Sequence, residues 1–319
     1  MFTYDFAATH ALLPYAALAE EVRAVLRDKV NATAIAPQRL GVPLPNDGIL
    51  LVMPAADNDI AITKLVTVHP HNAKHALPTI HGEVVVMRAG TGERLMILDG
   101  KAVTARRTAA VSLLAAKTLA SDVAKAGPIL IIGAGVQGRA HLEAFGDWLP
   151  GRDIFIYSRM HAKAQALAQH GRDLGLNTQA IEDVNAVVPA CGFIITGTTS
   201  TAPIFVDKVR AGAMAIAVGA YSHSMCELPH ELVRRSRVVV DTFEGAQHEA
   251  GDLSQASVDW ARVEALEEVV MDIVETRHGA SLQPIVFKSV GHALWDLAAA
   301  RLAVKTLTPA LSQRETEQK

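Results

Sequence analysis

The chain of 319 residues has only two cysteines, Cys191 and Cys226, in no metal-ligand spacing. That scarcity excludes a disulfide framework and makes a reducing, cytoplasmic compartment the expectation. An excess of one charge is missing too. Lys and Arg number 30 against 33 Asp and Glu, the formal net charge is −3, and the basic residues are scattered rather than striped. Nucleic acid as the main partner is excluded, because a polyphosphate needs a basic face. No apolar run reaches the roughly 20 residues that cross a bilayer, so a soluble protein with no membrane partner is expected. The opening MFTYDFAATH has neither a basic start nor a long apolar core, and is not expected to be a signal peptide. There is no internal repeat, and only residues 309–319 read as a loose polar tail.

What is present is an ordinary globular balance, 50% hydrophobic and 20% charged. The length exceeds what one core comfortably organises, so two domains are the default. Residues 8–29 predict an amphipathic helix, with Leu12, Leu13, Leu18, Val22 and Leu26 near helical spacing. The texture then turns to strands: GILLVMPA, DIAITKLVTVHP, and a hairpin in EVVVMRAGTGERLMILDG turning at AGTG. An Ala-rich helix is expected over 103–126, stopped by Gly127 and Pro128. Beyond it PILIIG, DIFIYS, FIITGT, MAIAVGA and RVVVDT alternate with helical stretches. Short, wholly apolar strands between helices mean a parallel sheet covered on both faces. A last helix is expected over about 290–306.

The clearest chemical signal follows the first of those strands. Gly133-Ala-Gly135-Val136-Gln137-Gly138 stands between an apolar strand and a helix, where backbone N–H groups approach a pyrophosphate at a helix N-terminus. Six-residue patterns arise by chance; the strand–turn–helix setting is what makes this one specific. A dinucleotide-binding Rossmann domain is expected. Where an NAD-selective site places Asp or Glu, the next strand ends in Ser158 and Arg159, a hydroxyl beside a guanidinium. That pair suits a 2′-phosphate, so NADPH is expected to be preferred with NADH tolerated, unless Arg159 merely stacks on adenine. Thr196, Thr198 and Gly219 end later strands, where ligands bind in such sheets, and Thr and Ser there equally often cap the next helix.

A second signal sits on a strand. Residues 60, 62, 64, 66 and 68 share one face: Ile60, Ile62, Lys64, Val66 and Val68. One ammonium among aliphatic side chains requires an anionic partner, or an edge position from which it reaches water. In the Ala-rich helix, pattern alone does not choose between Arg106 and Arg107. His69, His71, His75 and His81 crowd together without a Cys, Asp or Glu to complete a metal set, so no metal is expected. Asp241, Glu249 and Asp252 read as caps or braces, and Cys226 has no activating partner in sight.

The stretches VTARRTAAVSLLAAKTLA, GAGVQGRAHLEAF and IYSR resemble the ornithine cyclodeaminase/mu-crystallin family. Within it the likeness is nearest to the bacterial ketimine reductases acting on Δ1-pyrroline-2-carboxylate and Δ1-piperideine-2-carboxylate. It runs from APQRL through LLVMPA, ITKLVTVHPHN and EVVVMRAGTGERL to VFKSVGHALWDLAAA, most of the chain. The resemblance implies a homodimer with an α+β substrate and dimerisation domain, residues 1–115 with 296–319. It also implies a doubly wound Rossmann domain, residues 116–295. It assigns the substrate carboxylate to Arg107, and brings in Lys64 and Arg39 as further substrate contacts. One departure is visible: relatives commonly read GSFTPDMREL after the fifth strand, and this chain has Ser224 where that Asp stands and His223 before it.

The expected activity is therefore reduction of a cyclic ketimine carboxylate to L-proline or L-pipecolate, its proton coming from Lys64, His223 or water. Two cations would fix the ring so that hydride transfer becomes effectively intramolecular, in a cleft that two domains can offer. Within the resemblance the alternatives are ornithine cyclodeamination, dehydrogenation of an open-chain amino acid such as alanine, and non-catalytic NADPH binding. Loss of the Asp counts against the first of these, since ammonia release and ring closure need a strong acid–base group.

Overall fold

In the computed structural model, which describes residues 2–271 and 283–317, the chain divides into two compact units. They are Met1–Ala110 with His292–Lys319, and Val111–Gly291. No helix of the described residues is long and apolar enough to cross a membrane.

The first unit contains β1 (Phe2–Tyr4), α1 (Phe6–Ala11), α2 (Tyr15–Val30), β2 (Leu40–Leu44), β3 (Gly48–Ala56), β4 (Ile60–Val68), β5 (Ile80–Arg88) and β6 (Arg94–Asp99), then α3 (Gly100–Leu119) as far as Ala110, its remainder falling in the second unit, and the terminal helix Ala293–Glu317. The single helix expected over 8–29 is broken in two. Pro14 has no N–H for α1 to use and instead sits at the N-cap of α2, whose start leaves that donor unneeded. The sheet order is β1-β6-β5-β4-β3-β2, antiparallel apart from β1 against β6. Period-two alternation does its work on β4: Ile60, Ile62, Lys64 and Val66 are buried while Leu65 is exposed. With Val84, Val86, Met96 and Leu98 they form one buried face; the terminal helix lies against β3, β4 and β5, and α2 packs against the terminal helix. Each aliphatic side chain so buried contributes roughly 1.5–3 kcal/mol. The terminal helix continues through the expected loose tail as far as Glu317, the last two residues lying outside the described ones.

The second unit is an eight-stranded parallel sheet. In chain order it holds α4 (Asp122–Ala126), β7 (Ile129–Ile132), α5 (Val136–Trp148), β8 (Asp153–Tyr157), α6 (His161–Asp173), β9 (Asn177–Ala180), β10 (Phe193–Thr196), β11 (Met214–Ala217), α7 (His230–Arg235), β12 (Arg237–Val240), α8 (Phe243–Glu249), α9 (Gly251–Gln255), β13 (Val263–Ala265), α10 (Leu266–Val270) and β14 (Ile285–Lys288). The helix expected over 103–126 is also two, because Ser121 accepts from the Ala124 N–H and restarts the chain as α4. Every residue of β7, β10 and β11 is buried, as strands covered on both faces require. Strand order is β13-β12-β14-β11-β10-β7-β8-β9. The chain thus moves outward from β7 to β9, then returns to lay β10 on the other side of β7. That reversal is the topological switch point, and ligands bind at the carboxyl ends of the two strands flanking it.

Candidate active site

The first unit buries three charges together. Lys64 stands in the middle of β4, opposite Met53 and Val84, and only 2% of it is exposed. Its ammonium meets Asp296 of the terminal helix, donating to Oδ1 at 3.0 Å with Oδ2 at 2.8 Å. Asp296 is wholly buried in the first turn of that helix, where the backbone dipole favours a carboxylate. Arg107, on α3 and 6% exposed, sends Nε to within 3.3 Å of Asp296 Oδ1 and makes no other ion pair or hydrogen bond among the described residues. Its neighbour Arg106 is fully occupied elsewhere: Nε donates to the Leu13 carbonyl at 2.7 Å and the guanidinium lies 3.4 Å over the Tyr15 ring. The half-buried Arg39 also acts on Lys64 electrostatically. Burial pushes the Lys64 pKa down to about 8; Arg107 and Arg39 push the same way, and Asp296 opposes them. Among the described residues, two buried cations against one carboxylate leave a single positive charge without a counter-ion, an arrangement suited to an organic carboxylate.

In the second unit the glycine turn closes the switch point. Gly133 has φ +112° and donates its N–H to the Tyr157 carbonyl at 2.8 Å. Gly197 donates to Ile132 at 2.9 Å, tying the loops after β7 and β10 together. A Cβ on Gly138 would lie 1.8 Å from the Gly133 carbonyl oxygen, whereas one on Gly135 would meet no protein atom within 4 Å. Gly135 is the N-cap of α5 with no side-chain cap, and Val136 beside it is exposed. Near the turn Gln137 Oε1, and at the end of β10 Thr196 Oγ1, are buried without hydrogen-bond partners among the described residues. Free helix-terminal N–H groups, open space at Gly135 and two orphaned acceptors are what a bound dinucleotide requires, and the residues fit it. At the end of β8, Ser158 is half-buried and Arg159 exposed; Arg159 has no ion pair or hydrogen bond among the described residues.

The loops after β10 and β11 are held by a buried acid that the sequence did not single out. Glu227 accepts from the Thr198 N–H and hydroxyl at 2.6 and 2.9 Å, and from the N–H groups of Gly219 and Ala220 at 2.8 and 3.2 Å. Burial pushes its pKa up, with Lys288 opposing. Asp252 accepts from Glu227 and Leu228 backbone and pairs with Lys288 at 2.9 Å. Asp241 takes Ser289 Oγ at 2.7 Å and the Gly291 N–H at 2.8 Å. These acids brace backbone; none faces solvent. His223 and Ser224, in the loop after β11, are exposed, His223 Nδ1 lying 3.3 Å from Ser254 Oγ and Ser224 Oγ 3.1 Å from Ser222 Oγ. Both thiols are buried with pKa values raised to about 12, which removes the thiolate a nucleophile needs. His69, His71 and His75 line a cavity of about 240 Å³ with Lys74, and His71 Nε2 lies 3.2 Å from Asp47. Among the described residues no three His, Cys, Asp or Glu side chains are grouped to hold a metal ion.

Comparison with known proteins follows the same lines. The sequence profile of the ornithine cyclodeaminase/mu-crystallin family matches residues 6–308. The chain is 40% identical over 312 residues to Δ1-pyrroline-2-carboxylate reductase 1 of Burkholderia multivorans, covering 98% of this chain and 96% of that one. It is 40% identical over 305 residues to the Δ1-pyrroline-2-carboxylate/Δ1-piperideine-2-carboxylate reductase of Azospirillum brasilense, covering 94% of each. Among solved structures, the Δ1-pyrroline-2-carboxylate reductase of Thermococcus litoralis, in complex with NADH and L-proline, superposes with a TM-score of 0.87. It is 28% identical, and the match covers 97% of this chain and 98% of that one.

Proposed function

Because the chain belongs to the ornithine cyclodeaminase/mu-crystallin family, we infer that it reduces a cyclic ketimine carboxylate with a nicotinamide dinucleotide. The substrates are Δ1-pyrroline-2-carboxylate, Δ1-piperideine-2-carboxylate or both, and the products L-proline and L-pipecolate. The observation that carries the reading is the uncompensated positive charge of the Lys64–Arg107–Asp296 group. An amine or an uncharged imine would leave that charge unpaired in an apolar surrounding, whereas an imino acid neutralises it.

The cofactor, when bound, supplies the hydride. The chain does the rest. Arg107 turns its free guanidinium edge to the carboxylate in a charge-assisted pair, and Arg39 adds charge to the same group. Held there, the ring keeps one orientation, which converts an encounter into an effectively unimolecular step. Lys64 Nζ, protonated below its pKa of about 8, gives up the proton that the ring nitrogen gains as C=N becomes CH–NH. Glu227, bonded to Thr198 and Gly219, keeps the loops after β10 and β11 fixed, and the N–H groups at the start of α5 take the pyrophosphate. Ornithine cyclodeamination is disfavoured because Ser224 carries no acid–base group and the nearby Glu227 and Asp252 are buried in backbone bonds.

NADPH is the preferred cofactor in this reading, supported by the free Arg159 next to Ser158. Removing one charge-assisted phosphate contact is worth about 1.5–3 kcal/mol, so Arg159→Ala is expected to lower the kcat/KM ratio of NADPH to NADH by about tenfold or more. Steady-state kinetics with both cofactors read that ratio directly; an unchanged ratio retires the preference. A homodimer is the assembly proposed. It is supported by apolar side chains left exposed on the first unit's sheet, Leu40 and Val42 on edge strand β2 with Leu65 and Ile80. The function as a whole is tested by following NADPH and NADH oxidation with five- and six-membered ketimine carboxylates, ornithine, and pyruvate plus ammonia. Turnover with the ketimines alone is the expected result. Proline and ammonia appearing from ornithine would overturn it, and so would turnover only with pyruvate plus ammonia.

A further inference from the structure

We propose that Asp296 is the positioning residue of the cation pair: its single buried carboxylate grips the Lys64 ammonium and the Arg107 guanidinium together and presents them as one net positive charge in fixed geometry. The proposal deepens the reading above, on which the identity of the incoming carboxylate rests. Its basis is geometric. Both oxygens of Asp296 lie within 3.0 Å of Lys64 Nζ, and Oδ1 is shared with Arg107 Nε at 3.3 Å. The carboxylate is wholly buried, and among the described residues it has no ionic partner besides these two.

Two like charges packed together repel, and each on its own would be costly to bury. Asp296 makes the pair tolerable without cancelling it. The charged groups acting on Lys64 are Asp296 from the terminal helix, Arg107 from α3 and Arg39 from the segment before β2, and of these only Asp296 favours the ammonium. Taking the carboxylate away therefore moves Lys64 toward its neutral form. The amine then neither pairs with a substrate carboxylate nor holds a proton to donate. Asp296 itself touches no reacting atom in this scheme; it works through Lys64 and Arg107.

The test follows Lys64 directly. The 13Cε resonance of Lys64, assigned by its loss in Lys64→Met, is titrated in the wild-type protein and in Asp296→Asn. Titration near pH 8 in the wild type and at least about one pH unit lower in the variant is expected. Midpoints that coincide overturn the proposal. In parallel, kcat/KM for Δ1-pyrroline-2-carboxylate should fall with rising pH along a limb that moves down with the same midpoint, because kcat/KM reports groups of the free enzyme. A purely structural role would lower activity without moving the limb, and that result also overturns it. If Asp296→Asn does not fold, Asp296→Glu keeps the charge while displacing the ammonium. Its Lys64 midpoint should stay near the wild-type one while kcat falls by about fivefold or more, since misplacement of about 1 Å is costly; an unchanged kcat counts against positioning. Should the wild-type enzyme reduce no ketimine, the proposed substrate is wrong, and the resonance titration still decides what Asp296 does to Lys64.

Discussion

Arg107→Met is expected to cut kcat/KM for Δ1-pyrroline-2-carboxylate by about two to three orders of magnitude, most of it in KM, with dinucleotide affinity unchanged. The size follows from charge. The wild-type group holds two cations and one carboxylate. Without Arg107 it becomes the neutral Lys64–Asp296 pair, and an anion loses the Arg107 hydrogen bonds and is attracted only by the half-buried Arg39. Truncating one partner of a buried, hydrogen-bonded charge pair costs about 2–5 kcal/mol, and the middle of that range is a factor of roughly several hundred. Because Lys64 still pairs with Asp296, no charge is left buried and alone, and the variant should remain folded. Arg106→Met is the informative contrast. Arg106 binds the Leu13 carbonyl and stacks on Tyr15, so its loss should lower Tm and leave KM nearly where it was. Steady-state kinetics and thermal melts on both variants check this; a KM effect larger for Arg106 than for Arg107 would reverse the assignment.

Gly135→Ala and Gly138→Ala should both weaken NADPH binding by about a hundredfold or more, and only the second should lower Tm by several degrees. The asymmetry comes from where a methyl group would go. On Gly138 it would sit 1.8 Å from the Gly133 carbonyl oxygen, so the turn itself must open. On Gly135 it meets no protein atom within 4 Å and the fold accepts it; the methyl instead fills the approach that a pyrophosphate needs to reach the N–H groups of α5. Fluorescence titration with NADPH gives the affinities and differential scanning fluorimetry the melting points. Wild-type affinity in Gly135→Ala would mean that the pyrophosphate does not lie against that residue.

Much of the molecule was legible in the sequence wherever the physics is local. Period two on β4 marks Lys64 as facing inward, and it does, because its face is set by the strand alone. The glycine turn is equally local: strand, tight turn and helix start follow one another within a dozen residues. Arg106 and Arg107 show the limit. Adjacent helix residues differ by about 100° in direction, and each found a burial site. Only distant partners, Leu13 and Tyr15 for one and Asp296 for the other, separate their roles. Asp296 pairs with Lys64 across 232 residues of sequence, which no pattern reveals. Its one signal is a lone carboxylate in the apolar run ALWDLAAA. Glu227 in MCELP and Lys288 in IVFKSV carry the same kind of signal, a lone charge in an apolar setting whose partners are distant in sequence. Breaks at Pro14 and Ser121 were hidden by apolar periodicity that continues across them. The three-residue β1 is too short for any periodicity, and its pairing with β6 makes it a strand.

The central claim is that a buried, uncompensated positive charge selects a carboxylate-bearing imine. Comparing Δ1-pyrroline-2-carboxylate with Δ1-pyrroline, the same ring without its carboxylate, under identical NADPH-oxidation conditions tests it most directly. A kcat/KM lower by about a thousandfold or more for the bare ring is predicted, since the site's buried charge is then left unpaired. Comparable turnover of the two rings would contradict it.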